Sequence, residues 1–424
     1  MAIRPANSGI MPNFGTITIV PYTETSVSQE VYLKGVQIMQ YREDKAGNKL
    51  SALGLGCMRF PRDKAETERM VLAAIDGGVN FFDTAYFYPG NEVALGEVLA
   101  KHNKRKDIYI ATKMPVIMCK GAPDFDRFFN EQLRRLQTDY IEYYFLHNLP
   151  DFAAWQRLQE MGIEQWIDEK KKSGQIRQIG FSYHGTCDDF IKILDSYDWE
   201  FTMIQYNYYD PNYQAGKKGL LAAAERGLAV IVMEPLLGGR LAIGLPKQAV
   251  EMFKQSDPAL TPADWAFWWL WNQPEVTVAL SGMNSTQIME SNLRSVDNFR
   301  PLTDEQLAVY ADVVALFRKS YKINCTGCNY CLPCPKGINI PACLSAYNTR
   351  YVQGLVTGMT LYIIGIAAFT KNPNSPRLCN GCGSCEKACP QNIPIRKELK
   401  RVARRLEPLP LRLGLALARR ILTR

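Results

Sequence analysis

The chain has 424 residues, of which 47% are hydrophobic and 22% are charged, so it can form one large globular domain with a smaller one beside it. These proportions exclude a largely disordered chain. The formal net charge of +8 is a modest excess, much of it in the last thirty residues, and it predicts no nucleic-acid partner.

The twelve cysteines are spread unevenly. Cys57, Cys119 and Cys187 are scattered through the first three quarters of the chain, and nine lie between Cys325 and Cys389. Residues 1–35 contain prolines and acidic residues and no continuous apolar run, so the sequence predicts no signal peptide and a cytoplasmic protein. Thiols stay reduced there, and the clustered Cys-x-x-Cys spacing therefore indicates metal ligation.

Residues 1–35 are also interrupted by Pro and Gly, and we expect them to form an irregular extension outside the main fold. From residue 36 onwards, short apolar strands alternate with longer amphipathic helices. The predicted strands are 52–56, 79–83, 108–113, 141–147, 176–182, 201–207, 228–234 and 276–282. The predicted helices are 64–76, 91–102, 125–137, 151–172, 188–197, 217–226, 262–272 and 286–296, followed by 302–319, which leads out of the fold.

This alternation predicts an α/β fold whose parallel strands are joined by right-handed crossovers. Eight strands are the number that closes a (β/α)8 barrel, which we place at residues 36–320. An open doubly wound sheet is the alternative. It is disfavoured because Gly54 and Gly56 of the first strand are not followed by the third glycine of a dinucleotide fingerprint. Composition then shifts to Cys, Pro, Asn and Gly, which predicts a domain boundary near Tyr321.

Polar side chains follow three consecutive predicted strands. The second strand ends in Asp83, with Tyr88 just beyond it, the third ends in Lys113 and the fourth in His147. In a closed parallel barrel the carboxyl ends of the strands meet at one face, so these four groups should converge. Each alone reads equally well as a polar group that caps its strand. The four together predict a proton-transfer site.

Such a site suits carbonyl reduction. The carbonyl oxygen gains negative charge as hydride arrives at carbon, and an O–H donor such as Tyr88 neutralises it. A free phenol has a pKa of about 10. We expect the Lys113 ammonium, held by Asp83, to lower the pKa of Tyr88 toward the working pH. His147 would orient the carbonyl or share the proton.

The segments that carry these residues resemble the aldo/keto reductase signature, and the resemblance covers residues 36 to about 300. The matching segments are Asp83-Thr84-Ala85, Tyr88, Asn91-Glu92, Thr112-Lys113 and Phe145-Leu146-His147. The resemblance implies a barrel that binds a nicotinamide nucleotide in extended form. It also implies that Tyr88 is the proton donor, that Lys113 and Asp83 tune it, and that His147 lies in the carbonyl site.

The same resemblance implies that Ser182 and Gln205 contact the carboxamide of the nicotinamide. Met233 and Gly282, at the ends of the seventh and eighth strands, complete the predicted cofactor-binding set. Met233 stands where the family usually has a tyrosine that stacks on the nicotinamide. The choice between NADP and NAD stays open, because residues 281–291 contain no basic side chain for a ribose phosphate.

Two cysteine-rich runs repeat each other in the last quarter of the chain: Cys325-x-x-Cys328-x-x-Cys331-x-x-Cys334-Pro335 and Cys379-x-x-Cys382-x-x-Cys385-x-x-x-Cys389-Pro390. The second resembles the bacterial-type ferredoxin pattern, in which three close thiolates hold one [4Fe-4S] cube and the fourth crosses to another. The resemblance implies two clusters, one bound by Cys325, Cys328, Cys331 and Cys389 and the other by Cys379, Cys382, Cys385 and Cys334.

We place this ferredoxin-like domain at residues 321–400. A pair of zinc sites is the alternative, since Cys-x-x-Cys repeats also suit zinc. The other four cysteines are predicted to be core residues. They are Cys57, Cys119, Cys187 and Cys343.

Two further stretches bear on membranes. Residues 351–370 carry no charge and are long enough to span a bilayer, but polar and glycine residues dilute them. They are predicted to form a buried helix that packs the small domain onto the barrel. The tail, 401–424, continues a Leu- and Arg-rich helical pattern that begins at residue 396. This pattern predicts a solvated basic helix face, with contact to an anionic membrane surface or an acidic redox partner as the alternatives.

Together these features predict a two-part oxidoreductase. The barrel would carry out NAD(P)-linked chemistry on a small-molecule carbonyl or alcohol, coupled to two clusters that exchange electrons with a ferredoxin or another redox protein. A nicotinamide moves two electrons as hydride and a cluster moves one at a time. A flavin, on this chain or on a partner, would reconcile the two, although no flavin motif is visible. The alternative is a redox-sensing or electron-transfer docking protein with a catalytically silent barrel.

Overall fold

The computed structural model describes residues 39–366, 368 and 373–422, with side chains described to residue 416. The predicted extension, 1–35, lies outside these residues. Ten strands, β1 to β10, span in order Tyr41–Glu43, Lys49–Ser51, Leu53–Gly56, Phe81–Asp83, Tyr109–Met114, Ile141–Leu149, Ile176–Tyr183, Phe201–Gln205, Ala229–Met233 and Val278–Ser281.

Seventeen α-helices are present in the described part of the chain. In order, α1 to α17 span Lys64–Asp76, Asn91–Lys101, Pro123–Leu136, Phe152–Glu160, Ile163–Lys172, Cys187–Asp195, Gly216–Glu225, Arg240–Ile243, Lys247–Ser256, Pro262–Trp271, Thr286–Asp297, Asp304–Ser320, Ile340–Val352, Leu355–Gly365, Ser384–Lys387, Ile395–Leu406 and Leu409–Leu422.

Strands β3 to β10 form the predicted closed barrel. They follow one another around it in chain order, and β10 pairs with both β9 and β3. Each neighbouring pair is parallel. The prediction of a (β/α)8 barrel is confirmed, and an open doubly wound sheet is excluded.

The barrel is filled by side chains from its own strands. A buried inner cluster is drawn mainly from β4, β5, β6, β8, β9 and β10, and it includes Phe81, Tyr143, Phe201, Ile231 and Val278. A second, larger buried cluster lies between the strands and the surrounding helices. The interior is therefore a packed core, which leaves the carboxyl ends of the strands as the place for chemistry.

The hairpin of β1 and β2 was not predicted. Its strands are antiparallel and have three residues each, too few for a periodic signal. The loop between them is fixed to the barrel because the Tyr143 hydroxyl donates to Asp44 at 2.5 Å, and Arg42 donates to backbone carbonyls at the end of α10, including that of Gln273 at 2.7 Å. The hairpin thus lies at the amino-terminal end of the barrel, opposite the strand ends that carry the candidate site.

Two helix predictions differ from the structure. The predicted helix 151–172 is divided into α4 and α5, because Gly162 adopts a φ of 84° that interrupts the helix. The segment between β9 and α10 contains two helices that were not predicted, α8 and α9. The predicted helix 302–319 is confirmed as α12, which begins at a capping box of Thr303 and Gln306.

Beyond α12 the chain forms a small domain with its own core. Buried side chains of α13, α14 and α16 pack together, and several of the clustered cysteines lie at the edge of this core. Helix α16 is strongly amphipathic. Leu399, Val402 and Leu406 are buried, while its arginines and lysines are exposed. This agrees with the predicted solvated basic face, and the helix runs across the predicted boundary between 400 and 401.

The uncharged stretch 351–370 contains a shorter helix than predicted, α14. One side of α14 packs on α13, where Gly358 lies against the backbone of Arg350 and Tyr362 is fully buried. Val356 and Ile364 on its other side are largely exposed. The prediction of a buried helix that packs the small domain onto the barrel is therefore wrong, because α14 packs on α13 of its own domain and its other face is exposed. No helix in the described part of the chain is long and apolar enough to cross a membrane.

Candidate active site at the barrel mouth

The four residues predicted to form a proton-transfer site lie together at the carboxyl ends of β4, β5 and β6. Asp83 is the last residue of β4, and Tyr88 follows in the loop before α2. Lys113 lies near the end of β5 and His147 near the end of β6. These strands are neighbours in the barrel, so their side chains reach one edge of its mouth.

Lys113 and Asp83 form a buried ion pair. The Lys113 Nζ donates to Asp83 Oδ1 at 2.5 Å and to the carbonyl of Thr84 at 2.7 Å. The residues are only 1% and 4% exposed. Burial lowers the pKa of Lys113 and raises the pKa of Asp83, and the opposite charge of each partner resists both shifts. The pair therefore holds one fixed cation next to the phenol of Tyr88.

The Lys113 Nζ lies 5.2 Å from the centre of the Tyr88 ring. The predicted lowering of the Tyr88 pKa is not found. Burial raises the pKa of Tyr88 well above its ordinary value, and Tyr330 and Asp83 raise it further. The ammonium is committed to Asp83 and Thr84, so desolvation of the phenolate dominates. Tyr88 is consequently held in its protonated form, as a hydrogen-bond donor.

The His147 ring lies edge-on to Tyr88, with 6.2 Å between the ring centres. Burial lowers the pKa of His147 well below its ordinary value, and the nearby charge of Lys113 lowers it further. The imidazole is therefore neutral at physiological pH, and one of its nitrogens can accept a hydrogen bond.

A second layer of buried polar groups fixes the position of β5. Glu92 of α2 accepts from the Thr112 hydroxyl at 2.7 Å and from Gln132 at 2.7 Å, and it pairs with Arg135 at 3.0 Å. Thr112 precedes Lys113, so this network restrains the strand that delivers the ammonium.

The four predicted cofactor contacts lie at the ends of the remaining strands. Ser182 of β7 accepts from the backbone N–H of Asn148 at 2.8 Å. Gln205 ends β8, and Met233, partly buried, ends β9 beside it. Gly282 follows β10, where a side chain would meet Arg59 at 3.4 Å. All four lie on the same face of the barrel as Tyr88.

The small domain covers this face. Arg59 donates to the carbonyl of Thr326 at 3.4 Å, and Gln214 donates to the carbonyl of Pro390 at 2.9 Å. Gly238, in the loop after β9, lies so close to Thr326 that a side chain at Gly238 would strike the Thr326 carbonyl. The loops that carry Cys325, Cys328 and Cys389 therefore rest directly on the barrel mouth.

Sequence reasoning missed two residues that enter the site from the small domain. Tyr330 places its hydroxyl 3.5 Å from Nε2 of His147, and Gln391 donates to the side chain of Gln205 at 2.7 Å. Both lie between or just after the clustered cysteines. The cysteine pattern predicted that these loops bind metal and gave no sign of a second role. Nothing local to either residue marks it as part of a site more than 180 residues away.

Four of the cysteines line one cavity in the small domain: Cys325, Cys328, Cys331 and Cys389. This is the set that the ferredoxin resemblance assigns to one cluster. The cavity is otherwise lined mainly by apolar side chains, such as Ile340 and Leu344. Soft thiolates in an apolar setting suit an iron–sulfur cube.

The second set is less enclosed. Burial raises the pKa of Cys385, and the nearby Glu386, Cys379 and Cys382 raise it further. Cys382 is exposed, and Cys334 lies at the edge of the same core as Cys379. Of the cysteines predicted to be core residues, Cys57, Cys119 and Cys343 are buried. Cys187 is only partly buried, because it begins helix α6 at the surface.

Comparison with known proteins agrees with the division of the chain into a barrel and a small cysteine-rich domain. Residues 52–314 match the model of the aldo/keto reductase family, and residues 324–394 match that of a 4Fe-4S dicluster domain. The dicluster match favours iron–sulfur over zinc in the small domain.

Among curated proteins, the uncharacterized oxidoreductase YqkF of Bacillus subtilis (strain 168) is 25% identical over 294 residues, which cover 61% of this chain and 90% of YqkF. The holo form of aldo-keto reductase AKR11C1 from Bacillus halodurans has a TM-score of 0.56 at 24% identity and covers 65% of this chain and 96% of that one.

An aldo-keto reductase from Klebsiella pneumoniae, solved in complex with NADPH, has a TM-score of 0.55 at 22% identity, with coverage of 65% and 95%. These two structures share the fold of the barrel. Because the family model spans more than half of the chain, this protein belongs to the aldo/keto reductase family and is an oxidoreductase of that type, with a 4Fe-4S dicluster-type domain at its C-terminal end.

Proposed function

We propose that this oxidoreductase interconverts a small-molecule carbonyl and its alcohol at the barrel mouth, and that two [4Fe-4S] clusters in the small domain exchange electrons with a partner protein. The observation that supports this most is the convergence of Tyr88, Lys113, Asp83 and His147 on one edge of the barrel. Coincidental strand caps would not need a buried ion pair beside a half-buried tyrosine.

In this proposal Tyr88 gives its proton to the carbonyl oxygen during reduction. The raised pKa of Tyr88 keeps the proton on the phenol until the oxygen becomes basic. The cation of Lys113 then stabilises the phenolate that is left, and Asp83 holds that cation in place. The neutral imidazole of His147 orients the carbonyl oxygen.

The proposed hydride carrier is a nicotinamide nucleotide, NADP or NAD, with Ser182, Gln205, Met233 and Gly282 as its contacts. Family membership supports this choice. A nicotinamide does not fit beside Tyr88 while the small domain is docked, however. The side-chain amide of Gln391 is hydrogen-bonded to Gln205, the residue proposed to bind the nicotinamide carboxamide.

For the first cluster the thiols fit, because its four cysteines line one cavity. We propose Cys325, Cys328, Cys331 and Cys389 as ligands of the first cube, and Cys379, Cys382, Cys385 and Cys334 as ligands of the second. Such cubes supply electrons one at a time. The exposed Cys382 puts the second set at the surface, where a ferredoxin or another one-electron protein would dock. We also propose a cytoplasmic location and contact of the basic α16 face with a membrane surface.

The test is reduction of a carbonyl panel by anaerobically purified protein, with NADPH, NADH and a reduced viologen as separate donors. Tyr88→Phe should lower turnover on the order of 10²-fold or more, the usual scale for a lost proton donor. Tyr86→Phe is the matched control, since its ring packs on Phe128 outside the four-residue site. Equal turnover in Tyr88→Phe and the unmodified protein would contradict the assigned role.

A second candidate function is a redox-sensing or electron-transfer protein with a silent barrel. It is favoured by the contacts of Tyr330 and Gln391 with the site residues, which fill the mouth. No turnover with any of the three donors, in protein that contains its iron, would support this second function and contradict the first.

A further inference from the structure

Two side chains of the small domain enter the barrel site, and each contacts a different part of it. The first is Gln391. Its Nε2 donates to Gln205 Oε1 at 2.7 Å, and Gln205 Nε2 faces Gln391 Oε1 at 3.4 Å. The two residues are 8% and 4% exposed, so the amide pair is closed off from water. Gln391 therefore presents a primary carboxamide to the residue proposed to hold the carboxamide of nicotinamide.

The second side chain is Tyr330. Its hydroxyl lies 3.5 Å from Nε2 of His147 and also hydrogen-bonds to the hydroxyl of Tyr88. In the proposed reaction the substrate oxygen must lie between these same two groups. A phenol oxygen of Tyr330 in that place leaves no room for a carbonyl oxygen.

Both side chains belong to loops whose cysteines are proposed to bind the first cluster, and that cluster would tie the loops together. Tyr330 lies between Cys328 and Cys331, and Gln391 follows Cys389 by two residues. Those three cysteines line the same cavity. The two side chains must therefore enter or leave the mouth together.

We propose that Gln391 and Tyr330 close the barrel site by taking the places of the nicotinamide carboxamide and the substrate oxygen. Docking of the small domain and binding of the nucleotide then exclude one another, and the nucleotide binds only when the cysteine loops have moved off the mouth. This inference rests on the proposed use of a nicotinamide. It adds that the chain itself competes for the cofactor site.

The docked state is held by more than these two contacts. Gln214 and Arg59 of the barrel donate to carbonyls of the small domain at 2.9 and 3.4 Å, and Arg240 donates to the carbonyl of Ile323 at 3.4 Å. A nucleotide must therefore work against several hydrogen bonds. The apparent affinity of the nucleotide equals its affinity for the open form multiplied by the fraction of molecules that are open.

The experiment is a titration of iron-loaded, anaerobic protein with NADPH, followed by nucleotide fluorescence. Gln391→Ala should bind NADPH at least about tenfold more tightly than the unmodified protein, because the competing amide is removed. Gln391→Asn shortens the side chain by one methylene, and its affinity for NADPH should lie between those of Gln391→Ala and the unmodified protein. Gln353→Ala, at an exposed position after α13, is the control and should not change binding.

Iron and sulfide analysis shows that each variant keeps its clusters. If the unmodified protein binds NADPH as tightly as Gln391→Ala, the closing role of Gln391 is overturned while the proposed nicotinamide chemistry stands. If neither binds NADPH, both the closing role and the nicotinamide part of the proposed function are overturned. Tighter binding in Tyr330→Ala as well would support joint closure by the two residues.

Discussion

The ion pair between Lys113 and Asp83 allows a sharp test of the site. Lys113→Met keeps the length of the side chain and removes its charge, which leaves the Asp83 carboxylate buried without its partner. Breaking a buried pair in this way typically costs about 3–5 kcal/mol of unfolding free energy. For a domain of this size each kcal/mol corresponds to about 2–4 °C, so the melting temperature should fall by roughly 6–20 °C.

The assay is thermal and urea unfolding at several pH values. In Lys113→Met the pKa of Asp83 should rise further, because burial is no longer opposed by a cation. A carboxyl whose pKa is raised on folding stabilises the fold below its unfolded pKa and loses that contribution as pH rises. The loss of unfolding free energy in Lys113→Met should therefore become smaller at acid pH.

Two further variants decide the matter. Lys113→Met combined with Asp83→Asn should recover much of the lost stability, because no buried charge remains. Lys64→Met removes one partner of an exposed pair with Glu97 and should cost at most about 1 kcal/mol. A loss below about 1 kcal/mol in Lys113→Met, or no recovery in the double variant, would refute the buried-pair reasoning.

Three other outcomes follow from the described contacts. Cys389→Ser should lower the iron content from about eight to about four atoms per chain, measured by iron analysis and electron paramagnetic resonance; an unchanged content would contradict its ligand role. Gly180→Ala should cost about 1–3 kcal/mol in urea unfolding, because a side chain there would strike the carbonyl of Phe201, while Gly121→Ala, with space around it, should be neutral. Burial lowers the pKa of His184 to about 4, so its contribution to stability should be lost as pH falls from about 6.5 to about 4, and His184→Gln should flatten that dependence.

The barrel and the convergence of the four residues at its mouth could be predicted because their signals are local and repeated. Each strand is a short apolar run between helical segments, and parallel strands bring their carboxyl ends to one face whatever the helices contain. Asp83, Lys113 and His147 therefore had to converge once the barrel was correct. The hairpin of β1 and β2 and the break at Gly162 were missed because three-residue strands and a single positive φ leave little periodic signal.

The electrostatics of the site and its cover could not be predicted. The pKa of Tyr88 depends on how deeply the phenol is buried, and part of that burial comes from Tyr330. The contacts of Tyr330 with His147 and of Gln391 with Gln205 join residues 183 and 186 positions apart. Such contacts are set by the docking of two domains. The spacing of residues within either domain carries no information about that docking.

The order of the ligands along the chain has a consequence for biosynthesis. The barrel is complete when α12 has been made, whereas Cys389, which lines the first cavity with Cys325, Cys328 and Cys331, is translated much later. Domains commonly fold from the amino-terminal end as they emerge from the ribosome. The newly made enzyme should therefore pass through a stage with an uncovered mouth. Docking of the small domain, which follows the synthesis of Cys389, would then displace any small molecule bound at the mouth during that stage.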